Sequence, residues 1–169
     1  MRSAARAILD EGGPDSVGLR ETARRVGVSA TAAYRHFASK EDLLASVAAQ
    51  GFDELREMME RAEGDRPPLV ARGMAYIDFA AARRGLFRLM FGPVLIERAK
   101  YPALDEAAQG VFALLRAPSE PPRFAPPDVG GWALVHGLAC LVMDGLVAQP
   151  QAREMAESAL AVAAAKMAN

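Results

Sequence analysis

The stretch from Leu19 to Leu44 constrains the chain more than any other, because its apolar residues recur at helical spacing and its glycine and serines fall where short helices stop and start. Leu19, Thr22, Ala23 and Val26 are three and four residues apart, which puts them on one face of a helix. Gly27 stops that helix, since a left-handed residue ends a helix at least cost when it carries no Cβ. Val28 is then expected to tuck inward as an apolar plug. Ser29 is a good N-cap, and Ala30–Phe37 reads as a second helix of about two turns with Ala33 and Phe37 facing inward. Ser39, with Asp42 three residues on, is a capping signature for a third helix. A helix, a short turn containing Gly and a second helix make the helix-turn-helix plan, and small Ala23 suits a close helix crossing.

The second helix is the candidate reader of DNA. With Ala33 and Phe37 buried, the residues left outside are Ala30, Thr31, Ala32, Tyr34, Arg35 and His36. Arg35 can fork onto a guanine edge in the major groove, and Thr31 can donate a hydrogen bond or pack its methyl on thymine. Arg20, Tyr34 and Lys40 are placed to hold phosphates, contacts that position a protein on the duplex without reading its sequence. A helical hairpin exposed on some other small α-helical domain is the competing interpretation of helix-Gly-helix alone.

Leu19–Leu44 resembles the DNA-binding domain of the TetR family of transcriptional regulators. The matching pieces are Arg20-Glu-Thr-Ala23, Gly27-Val-Ser29, Tyr34-Arg-His-Phe37 and Ser39-Lys-Glu-Asp-Leu-Leu44, in the family's order and spacing. The resemblance implies DNA contacts from Arg20, Ala30, Thr31, Ala32, Tyr34, Arg35, His36 and Lys40. Three departures stand out. Gly18 replaces the usual Thr or Ser, so a side-chain cap is missing there. Ala32 stands where a polar residue is frequent. Only Met1–Ser3 precede the short first helix around Ala4–Leu9, which Gly12-Gly13-Pro14 ends; family members usually have a longer helix and a basic arm.

Charge follows the same division. The chain of 169 residues carries −1 overall, so no global field announces nucleic acid. Residues 1–40 hold seven basic and four acidic side chains, a surplus of three, which leaves −4 on the rest. A basic head on an acidic body suits a DNA reader. With 51% hydrophobic residues there is material for a true core. The single cysteine, Cys140, excludes an intrachain disulfide, and with only His36 and His136 beside it no metal site is expected. No Gly-rich phosphate loop or nucleophile–base pair is visible, so neither a cofactor nor catalytic residues are expected. No run is long enough to span a membrane, no signal peptide is visible, and the expected location is the cytoplasm.

The remainder reads as helices, so the fold class is all-α: an N-terminal three-helix helix-turn-helix domain over 1–46 and a C-terminal helical domain over 47–169. Glu41–Glu63 is one helix, and Gly64–Pro68 breaks the chain. Leu69–Arg84 has an unusually apolar middle, Gly85 interrupts, and Leu86–Phe91 is a short aromatic helix ended by Gly92-Pro93. Val94–Ala99 reads as a further turn and Pro102–Leu115 as another helix. Pro118, Pro121, Pro122, Pro126 and Pro127 punctuate an extended loop. Asp128 can cap Val129–Ala148, a helix apolar nearly all round and so expected to be buried on both sides, with Pro150 beyond its end. Gln151–Met167 is the last helix.

Tyr76-Ile-Asp-Phe-Ala80, Leu86-Phe-Arg-Leu-Met-Phe-Gly-Pro93 and Gly131-Trp-Ala-Leu-Val-His-Gly137 are similar to the C-terminal domain of a TetR subgroup with a Trp-x-x-x-His-Gly element. That resemblance implies ligand binding and dimerisation, the last two helices of each subunit forming a four-helix bundle. The apolar surplus of those helices points the same way, to a symmetric homodimer on double-stranded DNA with a near-palindromic operator. An effector cavity is placed among Met74, Ile77, Met90, Phe91, Phe112, Trp132, His136 and Met143, for a small, mainly apolar ligand anchored by His136 or Tyr101. Coupling to the reading head would run through Glu41–Glu63. The competing interpretation of these residues is a packed core, with His136 and Cys140 as ordinary core side chains. The function expected is a ligand-released transcriptional repressor of the TetR type. The alternatives are an all-α enzyme or carrier with a vestigial DNA module, and a constitutive DNA-binding protein without effector.

Overall fold

Every regular element among the described residues is helical, as the lack of period-two alternation implies. The computed structural model describes residues 1–62, 64–115 and 126–167, with side chains except at 126–129 and 163–167. The chain forms two compact units, one of residues 1–53 and 83–108, the other of residues 54–82 and 109–169.

In the first unit, α1 (Arg2–Gly12) buries Ala5, Ile8 and Leu9, and Gly13 ends it at φ 77°. After a 3-10 turn at Pro14–Ser16 come α2 (Leu19–Val26) and α3 (Ala30–His36). Gly27 adopts the left-handed conformation. Its N–H donates to the Arg24 carbonyl (3.2 Å) and that of Val28 to the Ala23 carbonyl (3.0 Å), the two bonds of a Schellman ending. This geometry corrects one expectation. Val28 is 42% and Val26 43% exposed, because the chain turns away at Gly27 and the buried stripe of α2 stops at Ala23. Phe37 is the extended C-cap of α3 and only half buried. At α4 (Lys40–Arg61) the capping box is complete: the Asp42 N–H donates to Ser39 Oγ (3.1 Å) and the Ser39 N–H to Asp42 Oδ2 (3.2 Å).

The break after α5 (Pro68–Ala82) falls at Arg83, not at Gly85. Gly85 lies inside α6 (Arg84–Met90), where a Cβ would stand 3.0 Å from the Leu9 carbonyl oxygen. It is therefore a contact glycine between α1 and α6 rather than a helix breaker. Phe87 and Phe52 both pack on Phe91, with ring centroids 4.6 and 5.3 Å apart. A short α7 (Pro93–Ile96) and a 3-10 turn at Arg98–Lys100 follow, then α8 (Pro102–Leu114).

The second unit is built around α5, which packs against both α9 (Pro126–Met143) and α10 (Gln149–Met167). The apolar run foreseen in α5 is buried nearly all round: Val70, Ala71, Met74, Ala75, Tyr76, Ile77, Phe79 and Ala80. From α10, Ala152, Ala156 and Leu160 point inward at four-residue spacing. Pro126 and Pro127 open α9 rather than belonging to a loop, since proline suits a first turn whose N–H groups have no partner in the helix. Asp128 thus lies within the helix, while Pro118, Pro121 and Pro122 lie outside the described residues. The helix stops at Met143, short of Ala148, because Gly145 (φ 74°) makes a second Schellman ending with N–H bonds from Gly145 to Val142 and from Leu146 to Leu141. Pro150 accordingly sits in the first turn of α10. In the single chain only one side of α9 is covered: Val135, Leu138, Ala139, Val142 and Met143 are buried, while Gly130, Ala133, Gly137 and Leu141 are exposed.

Candidate nucleic-acid interface and the tyrosine–histidine core

The outward face of α3 follows from one buried residue. Ala33 is fully buried, which turns Thr31, Tyr34, Arg35 and His36 to the surface and leaves Ala30 and Ala32 half buried at the first turn. Ser29 fixes where the helix begins, its Oγ accepting the Ala32 N–H at 3.1 Å. Gly18 offers no side-chain cap to α2, but its carbonyl accepts both the Thr22 N–H (2.8 Å) and the Thr22 hydroxyl (2.7 Å). Arg20 is exposed on that helix. Lys40, at the first turn of α4, is half buried, and its Nζ donates to the Asp15 carbonyl at 3.2 Å.

Charge on the head is sorted by ion pairs. Glu21 pairs with Arg24 (2.7 Å) and Arg25 (3.1 Å), and Arg25 also grips Glu11 (2.5 Å), joining α1 to α2. Hydrogen bonds from Arg24 first, then Arg25, pull the Glu21 carboxyl down to about 2. Arg24 and Arg25 are thus matched by carboxylates. Among the described residues neither Arg20 nor Arg35 is in such a pair, so their charge is available to an anionic partner.

Of the eight residues assigned to the effector cavity, Met90 and Phe91 belong to the first unit and the other six to the second. Within the second unit, Phe112 meets Trp132 edge-on at 5.3 Å, and Trp132 lies against His136 at the same distance. Ile77, Met74, Phe112 and Met143 are buried. Met74 also lines a surface cavity of about 300 Å³ with Met58, Arg61, Arg66, Asp78 and Arg153. Tyr101, the other anchor considered, lines a cavity of about 440 Å³ in the first unit, with Leu44, Leu89, Val94 and Ile96.

Sequence reasoning missed the partner of His136. The fully buried Tyr76 places its hydroxyl 2.9 Å from His136 Nδ1 and accepts the Trp132 Nε1–H at 3.3 Å. His136 Nε2 in turn lies 3.7 Å from Cys140 Sγ. Burial pushes the Tyr76 hydroxyl well above its usual range and lowers His136, so both are neutral near pH 7. Burial, then the nearby Asp144, raises the Cys140 thiol. Asp78 was missed too: it holds Arg153 and accepts Gln149 Nε2–H at 2.8 Å, tying α5 to α10. A carboxylate inside so apolar a run was the available signal.

Comparison with known proteins agrees with this arrangement. Residues 2–47 match the bacterial regulatory proteins of the tetR family, and residues 69–163 match the tetracyclin repressor-like C-terminal domain. No curated protein is matched by the sequence. Among solved structures, a protein of unknown function from Rhodococcus sp. RHA1 is similar at TM-score 0.74 and 26% identity, over 94% of this chain and 90% of that one. The TetR family transcriptional regulator PfmR from Thermus thermophilus shares the fold at TM-score 0.58 and 22% identity, over 93% and 92% of the two chains. The multidrug binding protein EbrR, complexed with imidazole, does so at 0.59 and 21%, over 92% and 89%. The helix-turn-helix head and the matched C-terminal domain account for most of the sequence, and the chain belongs to the TetR family of DNA-binding transcriptional regulators.

Proposed function

We propose that this chain is a homodimeric repressor that a small, mainly apolar effector releases from a near-palindromic operator. The observation that carries the reading is the exposed row Thr31, Tyr34, Arg35 and His36 on a helix whose start is fixed by Ser29 and whose inner side is fixed by Ala33. Arg35 reads a guanine edge, and Thr31 with Ala30 and Ala32 meets base edges at the first turn. Arg20, Tyr34 and Lys40 hold phosphates. In this reading residues 1–46 serve as the DNA head, residues 47–169 sense and dimerise, and the protein works in the cytoplasm.

The dimer surface is assigned to the side of α9 that the chain leaves uncovered, together with Met155 (51% exposed) and Val162 (58%) on α10. A two-fold pairing of these faces would give two reading helices related by symmetry, and hence an operator with two-fold character. The effector is assigned to the second unit around Met74, Ile77, Phe112, Trp132, His136 and Met143, which it enters by repacking methionine and aromatic side chains. To act, the effector must discriminate the two states by about 1–3 kcal/mol.

Footprinting on DNA flanking the gene tests the head, with a protected near-palindrome as the expected result. A Trp132 fluorescence titration against apolar metabolites tests the sensor. A response that coincides with loss of the footprint supports the reading. Footprints insensitive to every ligand that binds would leave a constitutive DNA-binding protein.

A further inference from the structure

We propose that His136 and Cys140 form one half of a tetrahedral site for a thiophilic divalent cation of the zinc type, completed by the same two residues of a second copy of the chain. The inference rests on the homodimer reading above and adds a metal to it. His136 and Cys140 stand one helical turn apart on α9, on the same side. The two donor atoms, Nε2 and Sγ, are 3.7 Å apart. Zinc takes imidazole nitrogen at ~2.0–2.1 Å and thiolate sulfur at ~2.3 Å, and at a tetrahedral angle these two atoms lie about 3.6 Å from each other. The pair is therefore already spaced as one edge of such a site.

The histidine is also held as a ligand would be. Its Nδ1 is 2.9 Å from the Tyr76 hydroxyl, on a residue that is itself fully buried. That phenol oxygen has two lone pairs, and Trp132 Nε1–H occupies one at 3.3 Å. In the tautomer that carries its proton on Nδ1, the other accepts the Nδ1–H and the Nε2 lone pair faces Cys140; metal binding at Nε2 would select that tautomer. A metal-bound histidine characteristically has its second nitrogen fixed in this manner.

One chain supplies too few donors. Among the described residues no three His, Cys, Asp or Glu side chains converge on a common point. Structural zinc takes four ligands, and two copies of a His–Cys pair supply them. Both residues are half buried and border the uncovered side of α9. Gly137 lies between them in sequence, and a Cβ added there would meet nothing within 4 Å in the single chain. A partner helix crossing at Gly137 can come close, and two-fold symmetry would set each His–Cys pair against its copy. On binding, each Cys140 thiol releases its proton to solvent and the thiolate ligates the metal. Two thiolates and one divalent cation leave the site uncharged, which suits a half-buried location.

Cobalt(II) titration of the chelator-stripped full chain tests this. The expected result is the intense visible absorption of tetrahedral cobalt, with a near-ultraviolet thiolate-to-cobalt band, saturating at one metal per two chains. Cys140→Ser and His136→Gln should each abolish the band while melting, metal-free, close to the parent. Tyr76→Phe should weaken cobalt binding about 10–100-fold, since the ligand would lose its orienting partner. Saturation at one metal per chain, or only the weak absorption of octahedral cobalt, would overturn the site. Light scattering on the same metal-free samples separates the two claims: a dimer without the thiolate band removes the metal alone, whereas a chain that stays monomeric with and without cobalt removes the dimer and the site together.

Discussion

Gly73 and Leu160 meet so closely across α5 and α10 that a Cβ built on Gly73 would lie 2.4 Å from Leu160 Cδ1, with Val135 Cγ1 at 3.0 Å. Gly73→Ala is therefore expected to destabilise the chain by about 1–3 kcal/mol through overpacking. Urea denaturation followed by circular dichroism would show it as a lower midpoint with an unchanged slope.

Gly137 is the contrasting case, because its open side faces solvent in the single chain. Gly137→Leu is expected to leave the secondary structure intact while blocking close approach of a second copy. Sedimentation or light scattering checks this, with a dimeric parent and a monomeric variant as the expected result. A variant as dimeric as the parent would move the interface off this side of α9.

On the head, Arg35→Ala is expected to weaken operator binding by about 1–3 kcal/mol and to relax base preference at one position in each half-site. Lys40→Ala should weaken all sequences alike and lower the steepness of the salt dependence. Gel shifts on operator and scrambled DNA at several salt concentrations separate the two effects. The docking is wrong if Lys40→Ala alters base preference and Arg35→Ala does not.

His136 provides a pH signature. Burial lowers its folded-state pKa below the ordinary value of 6.5, so the native state resists a proton that the unfolded chain accepts. Stability is then unaffected above that value and declines as pH falls through it. The neighbouring Tyr76 hydroxyl and Cys140 thiol are both raised and stay neutral throughout this window. Melting temperatures in chelator between about pH 7 and pH 5 should fall less for His136→Gln than for the parent. Equal slopes would mean that another group is responsible.

Gly145 ends α9 at φ 74°, where an L side chain is strained. Gly145→Ala is expected to cost about 1 kcal/mol in the same denaturation assay, although a Cβ would have open space there. A neutral result would show that the turn before α10 relaxes.

What could be read from the sequence was whatever a few neighbouring residues decide among themselves. The Ser29 cap, the Ser39–Asp42 box and the Gly27 ending each close hydrogen bonds within a few residues, and all three formed as foreseen. On α3 Thr31, Tyr34, Arg35 and His36 face out and Ala33 is inside as foreseen, whereas Ala30 and Ala32, expected outside, and Phe37, expected inside, are each half buried. The glycines were harder. Gly85 looked like a stop, yet its role depends on a Leu9 carbonyl distant in sequence, and nothing around Gly145 distinguished it from the many glycines that helices tolerate. His136 could be marked as a polar side chain on an apolar helix, but Tyr76 reaches it only because α5 and α9 pack together, which spacing along one helix cannot reveal.

The Lys40–Asp15 contact bears on how the protein would travel before it finds its site. A lysine tethered to a backbone carbonyl has surrendered part of its rotational freedom already, so if Lys40 holds a phosphate as proposed, less would be lost when that phosphate takes the carbonyl's place. The exchange also returns a carbonyl to water, which keeps the net gain small. A contact so easily made and released would favour sliding over sticking, and the 3-10 turn that presents Asp15 would then help to set how long the protein lingers on DNA that is not its operator.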